Sequence, residues 1–319
     1  MAVNTIASRP DDRPPPTVPH RLLPGYPDPA HWWHVPATGQ HYLDTGTGDP
    51  VLLLHGNPSW SYAWRHLLPV LSPHVRCLAP DLPGLGLSPR PAVAPNAADR
   101  YAAQLDHLDA LFAHLTGDRQ LPAQGWTLVM HDWGGPLGIA WALRRPGVVA
   151  RLVVLNTIGF RWPPGYRLPV YLKWIRDFAP VAALAHLTNA FPRAALRAGV
   201  VHPLRAAERR ASLLPYARRS DRRTVVEYVR SIPHSDDDPA WRLLEPPDGH
   251  SSSLAALPVF IGWGMRDPVF TPLVLDEWTR RFPQARVHRY ADAGHFVMED
   301  AADELGRHIR DFLLGRVRR

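Results

Sequence analysis

Short apolar runs that alternate with stretches of helical character constrain this chain more than any other feature. Val51–Leu54, Val75–Pro80, Trp126–Met130 and Arg151–Leu155 are four to six residues long and predominantly apolar. Such runs are buried on both faces of a parallel sheet, where alternation with polar residues is not needed. Helical stretches follow at Ala98–Leu115 and Pro136–Leu143. The alternation predicts a doubly wound, mostly parallel α/β sheet. His31–Pro36 and His41–Thr45 add two short strands around a turn at Thr38-Gly39.

The alternation stops near Thr157 and resumes near Pro247 with Val259–Ile261, a helix at Leu273–Phe282, a strand at Arg286–Tyr290 and a terminal helix at Glu299–Leu314. Between these points only helical segments separated by prolines are found. The expected organisation is one sheet domain with an inserted helical cap: a flexible Pro-rich tail over 1–24, core over 25–157 and 247–319, and cap over 158–246. The tail composition, Arg-Pro-Asp-Asp-Arg-Pro-Pro-Pro, lacks the apolar residues a core requires.

Composition narrows the classes. At 319 residues, 45% apolar and 20% charged, the chain is neither disordered nor collagen-like. No apolar run reaches the roughly 18 residues of a spanning helix. A single cysteine, Cys77, excludes an internal disulfide and a cysteine-based zinc cluster. The N-terminus has no continuous apolar segment of the signal-peptide kind, so a cytoplasmic protein is expected. The formal charge of +7 is nearly all arginine, with Lys173 the only lysine, and arginines gather in Arg205–Arg223 and Arg316–Arg319. No zinc-finger spacing, RNA-binding signature or basic zipper accompanies them, so a solvated arginine face is expected rather than a nucleic-acid site.

The chemistry concentrates at Leu128-Val129-Met130-His131-Asp132-Trp133-Gly134-Gly135. A buried strand ends, one residue occupies a sharp turn, and two glycines let a helix begin at once, which is the pattern of a nucleophile elbow with Asp132 in the place usually held by serine. A carboxylate needs no base in order to attack carbon, and the helix N-terminus favours its charge. The bland alternative is a buried aspartate capping a helix. Three further segments follow strands at the edge where open α/β sheets keep their sites: His55-Gly56-Asn57-Pro58, Asp267 in Gly262–Pro268, and His295 in Asp292–Phe296. The order Asp132, Asp267, His295 is the chain order of hydrolase triads. For Asp267 the alternative is a turn-initiating aspartate before Pro268.

These segments resemble the haloalkane dehalogenase group of α/β-hydrolases, and within it the β-lactone decarboxylases of bacterial long-chain olefin biosynthesis, from about Pro24 onward. The resemblance is carried by His55–His66, His131–Gly135, Trp263–Asp267 and Gly294–Asp300, with support from Leu23–Pro29 and Pro239–Glu245. It implies the α/β-hydrolase fold, Asp132 as nucleophile, His295 as base, Asp267 as the acid orienting it, and the Asn57 amide and Trp133 indole N–H as the anion-binding pair. Many dehalogenases carry the triad acid after the strand ending here at Leu155, where this chain has Asn156-Thr157-Ile158, so the role moves to Asp267. The Pro-rich tail and the arginine-heavy cap have no counterpart in the resemblance.

The resemblance implies decarboxylation of cis-β-lactones to cis-alkenes, with haloalkane dehalogenation as the alternative and epoxide hydrolysis as a third reading. Epoxide opening requires cap tyrosines as donors, and Tyr166, Tyr171, Tyr216 and Tyr228 are the candidates. A hydrolase fold reused for binding alone predicts a broken triad. No metal or organic cofactor is implied, since HExxH, P-loop and GxGxxG patterns are absent. The resemblance further implies work beside a β-lactone synthetase and a thiolase-like enzyme. A small hydrophobic substrate would meet the apolar cap residues Phe160, Trp162, Trp174, Ile175, Phe178, Leu184, Leu187 and Phe191, unless these only pack cap on core. Trp60, Tyr62 and Trp64 are open to the same two readings.

Overall fold

The computed structural model describes residues 18–316, apart from 93, 95, 234, 236 and 245–251. Eight strands make one sheet: β1 (Trp32–His34), β2 (His41–Thr45), β3 (Pro50–Leu54), β4 (Arg76–Pro80), β5 (Trp126–Asp132), β6 (Val149–Thr157), β7 (Val259–Gly264) and β8 (Arg286–Tyr290). Their order is β1-β2-β4-β3-β5-β6-β7-β8. β2 runs antiparallel to β1 and β4, and the remaining neighbours are parallel.

Side chains alternate across a strand, so each uninterrupted apolar run feeds two cores. Leu52, Leu54, Leu128, Met130, Leu152 and Val154 join the helices Ala97–Gly117 and Gly134–Arg144 on one face. Val51, Leu53, Val129, Val153 and Leu155 join Leu305, Ile309 and Phe312 of the helix Ala302–Leu313 on the other. That double burial explains why these runs carry no polar alternation.

The expected terminal helix divides in two, Val297–Asp300 and Ala302–Leu313, with Ala301 in a non-helical conformation between them. The Asp300 carboxylate turns back to accept the N–H groups of Val201, His202 and Gly294, which ties this corner to the inserted segment. The expected tail also needs correction. Residues 1–17 lie outside the described residues, but Val18 and Leu23 are buried in the second core. The Tyr62 hydroxyl donates to the Pro24 carbonyl, fixing the end of that segment.

Between β6 and β7 the described residues contain helices and no strand, the longer helices being Val170–Asp177, Ala179–Leu187, Ala190–Ala198, Ala206–Leu213 and Arg223–Arg230. The arginine-rich stretch is partly internal. Arg222 is buried and donates to the carbonyls of His186, Leu187, Tyr216 and Ala217, which joins three turns of the insertion through one guanidinium. Arg205 and Arg223 pair with Glu208 and Glu227 on their own helices. No described helix is long and apolar enough to cross a membrane.

Candidate active site

Asp132 ends β5 with φ +50°, a left-handed conformation that is costly for a residue with a Cβ. The bend is packed closely on every side. A Cβ at Gly134 would lie 2.0 Å from the Leu54 carbonyl oxygen, and one at Gly135 would lie 1.9 Å from Thr157 Oγ1. A Cβ at Gly56 would strike Asp132 itself at 2.2 Å. Glycine at these three positions brings β3, β5 and the following helix close enough to seat one carboxylate between them.

The two oxygens of that carboxylate differ. Oδ1 accepts the Asn57 backbone N–H at 2.7 Å, and the Trp133 N–H supports the same carboxylate. Oδ2 lies 3.6 Å from His295 Nε2, beyond a normal hydrogen bond. Burial raises the Asp132 pKa, against which His295 and the two backbone N–H groups favour the charged form.

His295 donates through Nδ1 to Asp267 Oδ2 at 2.9 Å, which fixes the tautomer and leaves Nε2 facing Asp132. Burial lowers the histidine's pKa, but the Asp267 charge and hydrogen bond, with Asp132 behind them, outweigh it and leave the pKa raised. Asp267 answers both readings of its sequence at once. Its Oδ1 accepts the N–H groups of Val269 and Phe270, the turn-forming role, while Oδ2 takes the histidine. Oδ2 also accepts Asn156 Nδ2 at 2.9 Å. Asn156 has φ +36° and grips both the N–H and the carbonyl of Gly264. It occupies the strand end where a carboxylate was sought and instead orients the one next door, a role the sequence did not disclose. His131 was also missed. Its Nε2 donates to the His295 carbonyl at 3.0 Å, and burial, with the adjacent His295 charge, holds its pKa well below the usual value.

Asp132, Trp133, Asn57 and His295 open onto a cavity of about 210 Å³ with a largely apolar wall. Asn57 presents its side chain there, with Nδ2 donating to the Val225 carbonyl at 3.0 Å and the buried Oδ1 unpartnered among the described residues. One amide N–H therefore anchors the insertion. Among the described residues no group of three or more His, Cys, Asp or Glu side chains is placed to hold a metal ion.

The insertion supplies a different wall from the one expected. Trp162 and Phe191 line the cavity, and Leu168, Tyr171, Leu172 and the small face Ala194, Ala195 and Ala198 join them. Phe160 is buried against the Trp278 ring, and Ile175 is buried away from the cavity wall. Trp174, Phe178, Leu184 and Leu187 point outward and are exposed. Helical periodicity alone could not say which of two apolar faces meets the core. Trp60, Tyr62 and Trp64 are buried away from the cavity, with Trp60 stacked on Tyr62. Of the four candidate tyrosine donors, Tyr166, Tyr216 and Tyr228 spend their hydroxyl hydrogens on Val269, Ser59 and Gln104, and only Tyr171 lines the cavity.

The geometry has counterparts among known proteins. A family model described as the alpha/beta hydrolase fold matches residues 49–302. The chain is 40% identical over 284 residues to a cis-3-alkyl-4-alkyloxetan-2-one decarboxylase of Xanthomonas campestris, covering 87% of this chain and 93% of that protein. It is 35% identical over 276 residues to a protein of the same name from Shewanella oneidensis, covering 86% and 84%. Among solved structures, the haloalkane dehalogenase DbeA from Bradyrhizobium elkani superposes with a TM-score of 0.75 at 28% identity, over 89% of this chain and 97% of that one. With its sheet, its elbow and these relatives in view, the chain belongs to the alpha/beta hydrolase family and is an enzyme of it.

Proposed function

We propose that the enzyme converts cis-3,4-dialkyl-β-lactones to cis-alkenes and CO2, with Asp132 as nucleophile. The observation that carries the reading is the asymmetry of the Asp132 carboxylate. One oxygen is pinned by the Asn57 backbone N–H, and the other lies beside the histidine where the carboxylate meets an apolar cavity. The 40% and 35% identical relatives bearing that activity in their names support it.

Asp132 Oδ2 attacks the ring carbon that bears oxygen. The C–O bond breaks with inversion and its electrons go to the freed lactone carboxylate, which the spare Asn57 amide N–H and the Trp133 indole N–H receive. The C–C bond to that carboxylate then breaks, its electrons form the alkene, and Asp132 leaves from the opposite side as CO2 departs. Inversion followed by anti elimination is syn loss overall, so a cis-lactone gives a cis-alkene. His295, oriented by Asp267, keeps Asp132 ionised. In the rival route, attack at the carbonyl gives a mixed anhydride, and His295 handles the proton of the β-oxygen. The cap, residues 158–246, sets substrate size. The same reading implies work beside a β-lactone synthetase and a thiolase-like enzyme, which co-purification of the three would test.

Dehalogenation remains the second reading because the superposed structure is a dehalogenase and the same parts serve it. There Asp132 displaces halide, and His295 activates water against the resulting ester. Epoxide opening is disfavoured by the three committed tyrosines. The test gives the purified enzyme a long-chain cis-3,4-dialkyl-β-lactone and, separately, 1-bromobutane. Cis-alkene and CO2 are expected; halide release without alkene would install the second reading.

A further inference from the structure

The cap carries an apolar face that its own packing does not use. On the helix Val170–Asp177, Leu172 and Ile175 turn inward and are buried. Val170 and Trp174, one turn apart, and Phe178 a turn later remain 60%, 54% and 56% exposed. The next helix, Ala179–Leu187, buries Ala182 and Ala185 and leaves Leu184 and Leu187 outward. The two helices pack on each other. Large side chains left outward on adjacent helices mark a contact site rather than scattered surface apolarity.

Charge and position select the partner. The cap holds 15 of the 36 basic residues and 8 of the 29 acidic ones, so its formal net charge of +7 equals that of the whole chain. The remaining 21 basic and 21 acidic residues cancel. Lys173 stands exposed on the same helix as Trp174. Outward Trp, Phe and Leu beside an exposed lysine, on a segment of net positive charge, are the composition of a helix that lies in a membrane interface. The face also continues into the active-site cavity, since Tyr171 lines the cavity and is 43% exposed beside Trp174. Among the described residues no helix could span a bilayer, so the contact is peripheral.

We propose that this cap face docks on the surface of an anionic lipid bilayer and opens the cavity mouth toward it. In purpose the proposal rests on the lactone reading, because a molecule with two alkyl chains and its alkene product both partition into lipid; in evidence it rests on the face itself.

The test is flotation of the full-length enzyme with vesicles of phosphatidylglycerol and phosphatidylcholine in equal parts, and with phosphatidylcholine alone. Anionic vesicles should carry about tenfold more protein than neutral ones, with the difference shrinking at high salt. The triple variant Trp174→Ser, Phe178→Ser, Leu184→Ser should lose about tenfold of that binding, and Trp174→Ser alone a smaller share, with thermal unfolding unchanged. Failure of the native enzyme to float, or equal flotation of the triple variant, overturns the proposal. So does concentration-dependent self-association in light scattering that the triple variant abolishes, because the face would then belong to a second copy. Vesicle binding needs no turnover, so a protein that floats but makes no alkene would count against the reaction and not against docking.

Discussion

The sheet edge and the cap hold their residues by opposite means. At the edge, the site residues stand at strand ends or in the short loops that follow them, held by close backbone contacts and hydrogen bonds. Asp132 is trapped at positive φ by the contacts of Gly134 and Gly135, and Asn156 is clamped to both polar groups of Gly264. In the cap, the helices Val170–Asp177 and Ala179–Leu187 turn Leu172, Ile175, Ala182 and Ala185 inward and leave Trp174, Leu184 and Leu187 outside. A rigid edge suits a reaction that demands a fixed attack angle. A cap held together by side-chain packing and internal anchors such as Arg222 can vary its lining without disturbing that angle.

If the edge alone carries the reaction, Asp132→Asn should reduce kcat/KM by about 10⁴-fold or more for every chain length tried. Alkene production near the native rate by that variant would remove the proposed nucleophile. The edge's rigidity is tested by Gly135→Ala, whose Cβ meets Thr157 Oγ1 and the Ile158 carbonyl. A loss of about 3 kcal/mol is expected in urea unfolding. A neutral result would mean the elbow is softer than its contacts imply.

The cap half of the comparison predicts selectivity without loss of chemistry. Ala195→Phe fills the small face of the cavity wall and should lower kcat/KM about tenfold for long-chain lactones while sparing short ones. Equal losses at all lengths would return that wall to the reaction itself.

The pH profile sharpens the roles at the edge. Asp267 and Asp132 raise the His295 pKa, so the ring stays protonated to higher pH than an ordinary histidine. Neither attack at the ring carbon nor loss of CO2 moves a proton, so alkene formation should persist as pH falls through the histidine's titration. It should decline only when Asp132 protonates. An acid limb that disappears in His295→Gln would favour the mixed-anhydride route. The smallest effect belongs to Trp174→Ser, which should change turnover of a dispersed short-chain lactone by less than about twofold, since surface changes away from the site are nearly neutral.

Much of the edge was legible because its signals are local. The residues at the bend, Asp132-Trp133-Gly134-Gly135, sit next to one another, and the strands before Asn57 and Asp267 announce themselves as apolar runs. Asn156 and His131 were not legible, because their partners Asp267 and His295 are close only through the pairing of β6 with β7 and the convergence of strand ends. The cap's two apolar faces read alike in sequence. Val18 and Leu23 were hidden by the prolines around them, although the core receives both.

The sequence by itself determined the alternation of strands and helices, the interruption after Thr157 and the chemical types at the strand ends, because hydrophobic period and turn residues act over a few neighbours. Only the tertiary structure decided which oxygen of Asp132 is pinned and which is free, which apolar face of the cap meets the cavity, and that Asn156 serves Asp267. Those outcomes depend on distances between segments far apart in the chain, which close packing sets and no local pattern encodes.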